Sequence, residues 1–426
     1  MKRKSLFSLY FVILSFIFSS AFSQDFNSIY SLYKQKDYFH FRNQVKNYKN
    51  ETEKWQKPFL EAVSDCIFGN FEKSNKNIDF ILENYSAYLP DSLMKDVYQK
   101  KYFNHSFLFE YKDAYKSASI LSEKFSSFLT KDEKETLPDD ITMFKSLINY
   151  PPQKITKGKQ DLKLKISKDM AGLWKIPVKV ENTDFDFVFD TGADFCVIVE
   201  SLAKKLGMKI SDAEFNVGTG TDKKVTSKIA VASSVKIGDI TLENVVFYVM
   251  KDKDFTFGPY KIEGVIGAPI MRDFGEIRLT QMDELIIPLA PGKDEIRNFA
   301  YDQYTPIIQM IYQNDSLNFL FDSGNNSILL FQPFLMKYNS EITQKYTLKK
   351  LSVGGAGGII ETEGYTLNNI TLSTGNASAE FKDIDLIAKP LSETQKFLHG
   401  NLGQSFIKQF NTLILNYKNM YIAFEK

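Results

Sequence analysis

The chain has 426 residues, of which 43% are hydrophobic and 25% charged, and its formal net charge is +1. This length is sufficient for two or three domains, and the balance of charge gives no electrostatic basis for binding nucleic acid or an anionic membrane. With three histidines and two cysteines, the composition argues against Ser-His-Asp triads, Cys-His pairs and His-rich zinc sites. We therefore expect no metal and no cofactor.

The first predicted element is a signal peptide at residues 1–23. A basic start is followed by an apolar run from Leu6 to Phe18 and then by small residues, which is the order found in secretory signals. The small residues predict cleavage between Ser23 and Gln24. An uncleaved membrane anchor is the alternative, but the apolar run is shorter than the roughly 20 residues that a bilayer span needs. We expect an exported protein, periplasmic or extracellular, without a membrane span after cleavage.

Residues 25–150 are predicted to form an all-α domain of helical hairpins. Glycine is nearly absent there, and apolar residues recur at helical spacing, as in FEKSNKNIDFILENY. A polar turn, an aromatic residue and a helical segment follow one another three times, with the aromatic residue at Tyr38, Phe71 and Tyr111. This spacing is typical of arrays such as tetratricopeptide-like repeats, and an irregular helical bundle is the alternative. We expect the domain to bind a protein partner or to shelter a cleft.

The two cysteines, Cys66 and Cys196, lie in apolar segments of different predicted domains. Because no dense framework of cysteines surrounds them, the sequence favours two buried free thiols over a disulfide.

After Pro151 and Pro152 the pattern changes to strands separated by Gly and Asn turns. The second part of this region repeats the first: IPVKVENTDFDFVFDTGA at 176–193 aligns with TPIIQMIYQNDSLNFLFDSGN at 305–325. Each part continues with a short helical segment and a glycine-rich hairpin, and then closes with a similar phrase, GVIGAPIMRDFGEIRL or GNLGQSFIKQFNTLIL. The repetition indicates an internal duplication, with domains predicted at 160–290 and 300–426.

The duplication places an aspartate at the same point of each half. In both halves an apolar strand ends at an aspartate that a hydroxyl residue and a glycine follow, in FVFDTG and FLFDSG. Because side chains alternate between the two faces of a strand, the Phe residues at 185, 187 and 189 fall on one face, and Asp190 lies off this apolar face, where the chain turns. One such tripeptide would indicate only a turn, whereas two at equivalent points indicate a pair of aspartates that act together.

In combination, these motifs resemble the aspartic peptidases of the retropepsin/pepsin type, with two lobes fused in one chain. Three elements occur twice, in the same order: an Asp-Thr/Ser-Gly turn, a glycine-rich hairpin, and two mainly hydrophobic residues followed by glycine. Their positions are Asp190–Ala193, 217–220 and Val265–Gly267 in the first half, and Asp322–Gly324, 353–358 and Asn401–Gly403 in the second. The resemblance implies a multi-domain protein in which the helices precede a mainly-β bilobal fold of the double-ψ, acid-protease-like kind.

The resemblance also implies an aspartic endopeptidase that acts on polypeptides. Asp190 and Asp322 would share one proton, since two close carboxylates do not both ionise readily. The ionised member would take a proton from water while the protonated member donates to the scissile carbonyl, so that no covalent intermediate forms. The residues implied to support this pair are Thr191, Gly192, Ala193, Ser323, Gly324 and Asn325. Those implied to form flaps over the substrate are Gly218, Thr219, Gly220, Gly354, Gly355, Ala356, Gly357 and Gly358.

Some features depart from this family pattern. Asn325 stands where alanine, serine or threonine is usual, and neither hairpin has the tyrosine of pepsin-like flaps. Ala193 cannot donate a hydrogen bond to a carboxylate, so the pair should hold its shared proton to higher pH than pepsin-like sites do. We therefore expect a pH optimum in mildly acidic to near-neutral conditions.

Two other functions stay open at this point. The chain could be a catalytically idle peptide-binding protein on the same fold, or a scaffold that acts through its helical domain. The presence of both aspartates with their Thr/Ser-Gly partners favours the enzyme. Because both halves belong to one chain, we expect the active unit to be a monomer.

Overall fold

The structure is a computed structural model that describes residues 25–49, 53–218, 224–355 and 358–426. As predicted, helices before residue 150 precede a region rich in β-strands. The predicted signal peptide at 1–23 lies outside the described residues. Within those residues, no helix has the length and apolar character required to cross a bilayer.

The helices of the N-terminal region pack against their neighbours along the chain. Their bounds are α1 (Phe26–Lys34), α2 (Tyr38–Asn47), α3 (Gln56–Ile67), α4 (Phe71–Asn84), α5 (Asp91–Phe107), α6 (Tyr111–Phe125) and α7 (Lys131–Leu147). The repeated aromatic residues Tyr38, Phe71 and Tyr111 are the first residues of α2, α4 and α6, and all three are buried. Their spacing in the sequence thus reflects one buried aromatic ring at the start of every second helix. A tetratricopeptide-like character stays a prediction.

The first half of the β-rich region contains the following elements. The strands are β1 (Lys154–Thr156), β2 (Leu162–Lys165), β3 (Ser167–Lys168), β4 (Trp174–Val180), β5 (Thr183–Phe189), β6 (Cys196–Val199), β7 (Phe215–Gly218), β8 (Lys224–Ala232), β9 (Val235–Ile237), β10 (Ile240–Glu243), β11 (Val245–Met250), β12 (Thr256–Phe257), β13 (Tyr260–Lys261), β14 (Gly264–Ile266), β15 (Glu276–Thr280) and β16 (Glu284–Ile287). The helices are α8 (Glu200–Lys205) and α9 (Ala268–Phe274).

The second half repeats this order with fewer strands. They are β17 (Phe299–Asp302), β18 (Thr305–Tyr312), β19 (Asp315–Phe321), β20 (Leu329–Leu330), β21 (Lys349–Gly355), β22 (Gly358–Thr374), β23 (Ala377–Ile387), β24 (Gly400–Leu402), β25 (Thr412–Asn416) and β26 (Tyr421–Glu425). The helices are α10 (Gln332–Lys337), α11 (Asn339–Lys345) and α12 (Gln404–Ile407).

Each half has its own sheet around the strand that leads to its aspartate. In the first, β5 lies between β4 and β14, and β14 runs parallel to it. In the second, β19 lies between β18 and β24, and β24 runs parallel to it. Strand β1 joins the first sheet by pairing with β10, so this sheet begins at Lys154, ahead of the boundary at residue 160 that the sequence predicted.

A further sheet contains strands from both halves, in the order β2-β16-β15-β25-β26. Strand β15 of the first half pairs with β25 of the second in antiparallel register, from Glu276 opposite Asn416 to Thr280 opposite Thr412. At the seam, the buried Glu276 carboxylate accepts a hydrogen bond from the Asn416 amide over 2.6 Å. Backbone pairing within one chain therefore holds the two halves together.

Both cysteines have free, buried thiols, as predicted. Burial raises the pKa of the Cys66 and Cys196 thiols above the ordinary value, so neither is activated as a thiolate.

Candidate active site

The turns that follow β5 and β19 are joined by a reciprocal pair of hydrogen bonds. The Thr191 N–H donates to Oγ of Ser323 over 3.0 Å, and the Ser323 N–H donates to Oγ1 of Thr191 over 2.9 Å. Thr191 and Ser323 are each only 1% exposed, so neither N–H has bulk water as an alternative partner. The two hydroxyl residues therefore fix the position of one aspartate turn relative to the other.

A glycine in each turn allows the aspartate of the opposite turn to come close. A Cβ atom placed on Gly192 would lie 2.7 Å from Oδ1 of Asp322, and one on Gly324 would lie 2.7 Å from both carboxylate oxygens of Asp190. Each glycine N–H also donates to the aspartate of its own turn, over 2.8 Å to Asp190 and 2.9 Å to Asp322. Any side chain at either glycine would separate the two carboxyl groups.

Gly267 and Gly403, in the repeated segments that close each half, pack against the backbone of these turns. A Cβ atom on Gly267 would lie 2.7 Å from the carbonyl oxygen of Ala193, and one on Gly403 would lie 2.4 Å from that of Asn325. The backbone N–H of each aspartate donates over 3.1 Å to the carbonyl of the residue that precedes the supporting glycine. The repeated motifs of the sequence thus meet in space, twice, in the same arrangement.

Burial and charge shift the ionisation of the two aspartates. Burial and the facing Asp322 carboxylate raise the pKa of Asp190 above its ordinary value, and the N–H groups of Gly192 and Gly324 act in the opposite direction. Burial also raises the pKa of Asp322, while the side-chain amide of Asn401 opposes that rise. Two carboxyl groups in such proximity titrate as a pair, and within this pair the Asn401 amide is a donor that favours ionisation of Asp322 over ionisation of Asp190.

Asn401 is a residue of this site that the sequence analysis did not assign a role. Its Nδ2 donates to Oδ2 of Asp322 over 3.3 Å, and the residue is 9% exposed. In the first half the equivalent position holds Val265, which offers no donor to Asp190. The signal available in the sequence was a polar side chain within an otherwise hydrophobic motif.

Ala193 and Asn325, which follow the two glycines, do not act as an equivalent pair. Ala193 is half-buried and has no polar side chain. The side-chain oxygen of Asn325 accepts the N–H of Ser327 over 3.1 Å, while its own N–H donates to the carbonyl of Asp322 over 3.2 Å. The side-chain donor next to the Asp322 carboxylate is therefore Asn401.

The two predicted flap hairpins are β7–β8 and β21–β22. Among the described residues, a Cβ atom on Gly218 or Gly354 would meet nothing within 4 Å, and Gly355 pairs with Gly358 across the second hairpin. The predicted flap residues Thr219, Gly220, Ala356 and Gly357 lie outside the described residues. The role of either hairpin as a flap stays a prediction.

An apolar surface adjoins the first aspartate turn. It combines the buried side chains of a small cluster with half-buried residues packed against them. The half-buried members are Leu173, Ala193, Val217, Tyr248, Phe255 and Ile262. Since these side chains retain some exposure, they can contact an apolar side chain of a bound molecule. In the part of the chain that the structure describes, no group of three or more His, Cys, Asp and Glu residues is placed to hold a metal ion.

Comparison with known proteins finds similarity over part of the chain. Among curated proteins, none matches the sequence significantly. A retropepsin-like aspartic protease from Rickettsia conorii is a matching solved structure, with 20% identity and a TM-score of 0.22, covering 32% of this chain and 91% of that one. Residues 176–270, which contain the first aspartate turn, hairpin β7–β8 and the supporting Gly267, match the model of an aspartyl protease family.

Proposed function

We propose that this protein is an aspartic endopeptidase in which Asp190 and Asp322 activate a water molecule for attack on a peptide bond. The observation that carries the proposal is the apposition of the two aspartates by the reciprocal hydrogen bonds of Thr191 and Ser323. The match of residues 176–270 to an aspartyl protease family supports it.

The environment of the pair suggests which aspartate has which role. Asn401 donates a hydrogen bond to Asp322, and the equivalent Val265 offers none to Asp190. Within the pair this favours the ionised form of Asp322, so we assign Asp322 as the general base that takes a proton from water. Asp190, whose pKa is raised by burial and by the facing carboxylate, holds the shared proton and donates it to the scissile carbonyl. The attack gives a tetrahedral diol. As the C–N bond breaks, Asp322 passes the proton it took from water to the leaving amine, and Asp190 recovers a proton from a hydroxyl group of the diol.

We propose that the two halves of the β-rich region are the two lobes of this peptidase. The strand pair β15–β25 joins them within one chain, which supports a monomer as the active unit. The half-buried apolar surface beside Ala193 favours an apolar side chain next to the scissile bond.

The proposal is tested with mature protein, a denatured protein mixture and a statine-type inhibitor. Cleavage should be abolished by the inhibitor and by Asp190→Asn or Asp322→Asn, because an amide can neither share nor accept the proton. Asp186→Asn is the matched control, since Asp186 is exposed and lies on β5, the strand that leads to Asp190. Comparable turnover in either dyad variant would refute the mechanism, and peptide binding without cleavage by the wild type would indicate an idle binding protein.

We also propose export after cleavage between Ser23 and Gln24. The basic start and short apolar run of residues 1–23 support it. The N-terminal sequence of protein recovered from the periplasm or the medium tests it, and a mature chain that retains Met1 would contradict it.

A further inference from the structure

Helix α7 of the N-terminal region lies along one side of the candidate active site. It begins with a capping box in which Thr130 and Glu133 exchange hydrogen bonds between side chain and backbone.

The middle of α7 is bonded to hairpin β7–β8 of the first half. Oδ1 of Asp139 accepts the backbone N–H of Asn216 over 2.8 Å, and the Glu135 carboxylate lies 3.6 Å from Nζ of Lys224. Asn216 belongs to β7 and Lys224 to β8, so both strands of this hairpin are attached to the helix.

The second part of α7 approaches the aspartate turn itself. One helical turn beyond Asp139, Sδ of Met143 accepts a hydrogen bond from the Tyr248 hydroxyl over 3.0 Å. The Tyr248 ring stacks on the ring of Phe195 in the first aspartate turn, with centroids 4.4 Å apart. Burial and the neighbouring carboxylates of Asp139 and Asp194 raise the pKa of Asp140 to about 7. Helix α7 thus contacts both hairpin β7–β8 and Tyr248, whose ring packs on the first aspartate turn.

Helix α5 contacts the β17–β18 turn of the second half on the same side of the candidate site. The Tyr304 hydroxyl donates to Oγ of Ser106 over 2.9 Å, and its ring packs edge-on against Phe103 at 5.1 Å between centroids. Tyr304 also contacts Phe195 of the first aspartate turn, with centroids 5.6 Å apart. Hairpin β7–β8 and the β17–β18 turn are therefore in contact with the helical region on this side, and the first aspartate turn is linked to it through the rings of Tyr248 and Tyr304.

The equivalent side of the second half has different surroundings. Asn326 stands where the first half has Asp194, and its amide donates to the carbonyl of Ala171 over 2.8 Å. Ala171 belongs to the turn between β3 and β4, which is the counterpart of the β17–β18 turn. Tyr260 and Gln404 of the β-rich region also donate hydrogen bonds to this turn, and its Met170 is 76% exposed.

We infer that the peptide-binding cleft is closed at the end where α7 and α5 meet the first aspartate turn and is open at the equivalent end of the second half. The inference rests on the proposed peptidase function and narrows its substrates. A polypeptide can extend freely through the open end, whereas only a short segment fits between the scissile bond and the helices. The substrate class is therefore a polypeptide that is cleaved within a few residues of one chain end.

Two peptide series test this inference. A sequence found to be cleaved in the denatured protein mixture is extended on the amino side in one series and on the carboxyl side in the other, in steps of about two residues, or roughly 7 Å of extended chain. We expect kcat/KM to be maintained along one series and to fall by about tenfold or more along the other, a penalty of ~1.4 kcal/mol. Equal tolerance of long extensions on both sides would overturn the inference.

The Asp139→Ala variant tests whether helix α7 sets the limit on peptide length. Loss of the Asp139 carboxylate frees Asn216, so the restricted series should lose part of its length dependence, while Asp113→Ala on the exposed surface of α6 should leave that dependence unchanged. A length limit that is the same in Asp139→Ala as in the wild type would show that α7 does not set it.

Binding of the same peptides separates this inference from the proposed function. Affinity for the Asp190→Asn variant, measured by fluorescence anisotropy, should show the same one-sided length dependence. If the wild type hydrolyses no peptide but affinity depends on peptide length on one side, the peptidase proposal is refuted, while the inference that one end of the cleft is closed is supported. Affinity that is independent of length in both series refutes the closed end.

Discussion

The reciprocal hydrogen bonds of Thr191 and Ser323 should be the most sensitive point of the candidate site. Thr191→Val keeps the shape of the side chain but removes the acceptor of the Ser323 N–H. Because both residues are 1% exposed, water cannot replace that acceptor. A buried donor left without a partner costs about 1–3 kcal/mol, so we expect the free energy of unfolding of the β-rich region to fall by this amount.

The two tryptophans provide a local assay for this loss. Trp174 lies on β4, beside the strand that leads to Asp190, and is 4% exposed, whereas Trp55 precedes α3 in the helical region. In a Trp55→Phe background, urea unfolding followed by fluorescence therefore reports on the first half alone. The midpoint should fall in Thr191→Val and Ser323→Ala, and much less in Thr191→Ser, which retains the hydroxyl group.

The same variants should also lose activity under conditions in which they are fully folded. If the hydrogen bonds set the separation of Asp190 and Asp322, kcat measured where all variants are folded should drop by about tenfold to a hundredfold, the usual effect of a small misplacement of catalytic groups. Wild-type midpoints and wild-type kcat in both Thr191→Val and Ser323→Ala would refute the role given to this pair.

Three further predictions concern Asn401, Asp140 and the strand pair β15–β25. Asn401→Val removes a donor to the ionised form of Asp322, so the pKa of Asp322 should rise. The acidic limb of the kcat/KM profile should therefore move to higher pH by up to about one unit, and an unchanged limb would contradict the role of Asn401. The pKa of Asp140 is raised from 3.8 to about 7 by burial and then by Asp139 and Asp194, so its contribution to stability is fully present below the lower value and is lost as pH rises through the higher one. Asp140→Asn should therefore flatten the decline of the thermal midpoint across this range, and an equally steep decline would show that another group causes it. Activity per molecule should be constant on dilution because β15 and β25 join the halves within one chain; a steep loss at low concentration would show that a second chain completes the site.

Much of the candidate site could be predicted because its chemistry is local and occurs twice. Gly192 and Gly324 are required by the approach of the opposite carboxylate, and this requirement appears in the sequence as a tripeptide at the same point of a repeated unit. The supporting Gly267 and Gly403 are identifiable for the same reason, since each packs against the backbone of the turn in its own half. The order of helices and strands could also be predicted, because periodicity and glycine content change near residue 150.

The remaining features depend on contacts between segments that are distant in the chain. The hydrogen bond from Asn401 to Asp322 joins residues that are 79 positions apart, and the one from Asn216 to Asp139 joins residues that are 77 positions apart. No local pattern specifies such pairs. Strand β1 was missed for a similar reason, because the three residues from Lys154 to Thr156 are defined as a strand by their pairing with β10 and not by their composition.

Fusion of the halves in one chain has a chemical consequence for the proposed dyad. In a symmetric dimer, equivalent positions carry identical residues, so neither of two equivalent aspartates is favoured to hold the shared proton. Here Val265 and Asn401 occupy equivalent positions, and only the second offers a donor to its aspartate. The helical region adds a second asymmetry, because α7 contacts Asn216 in the first half while the β3–β4 turn on the opposite side is exposed. The same fusion that makes the halves inseparable thus allows one aspartate to be specialised as base and one end of the cleft to be closed.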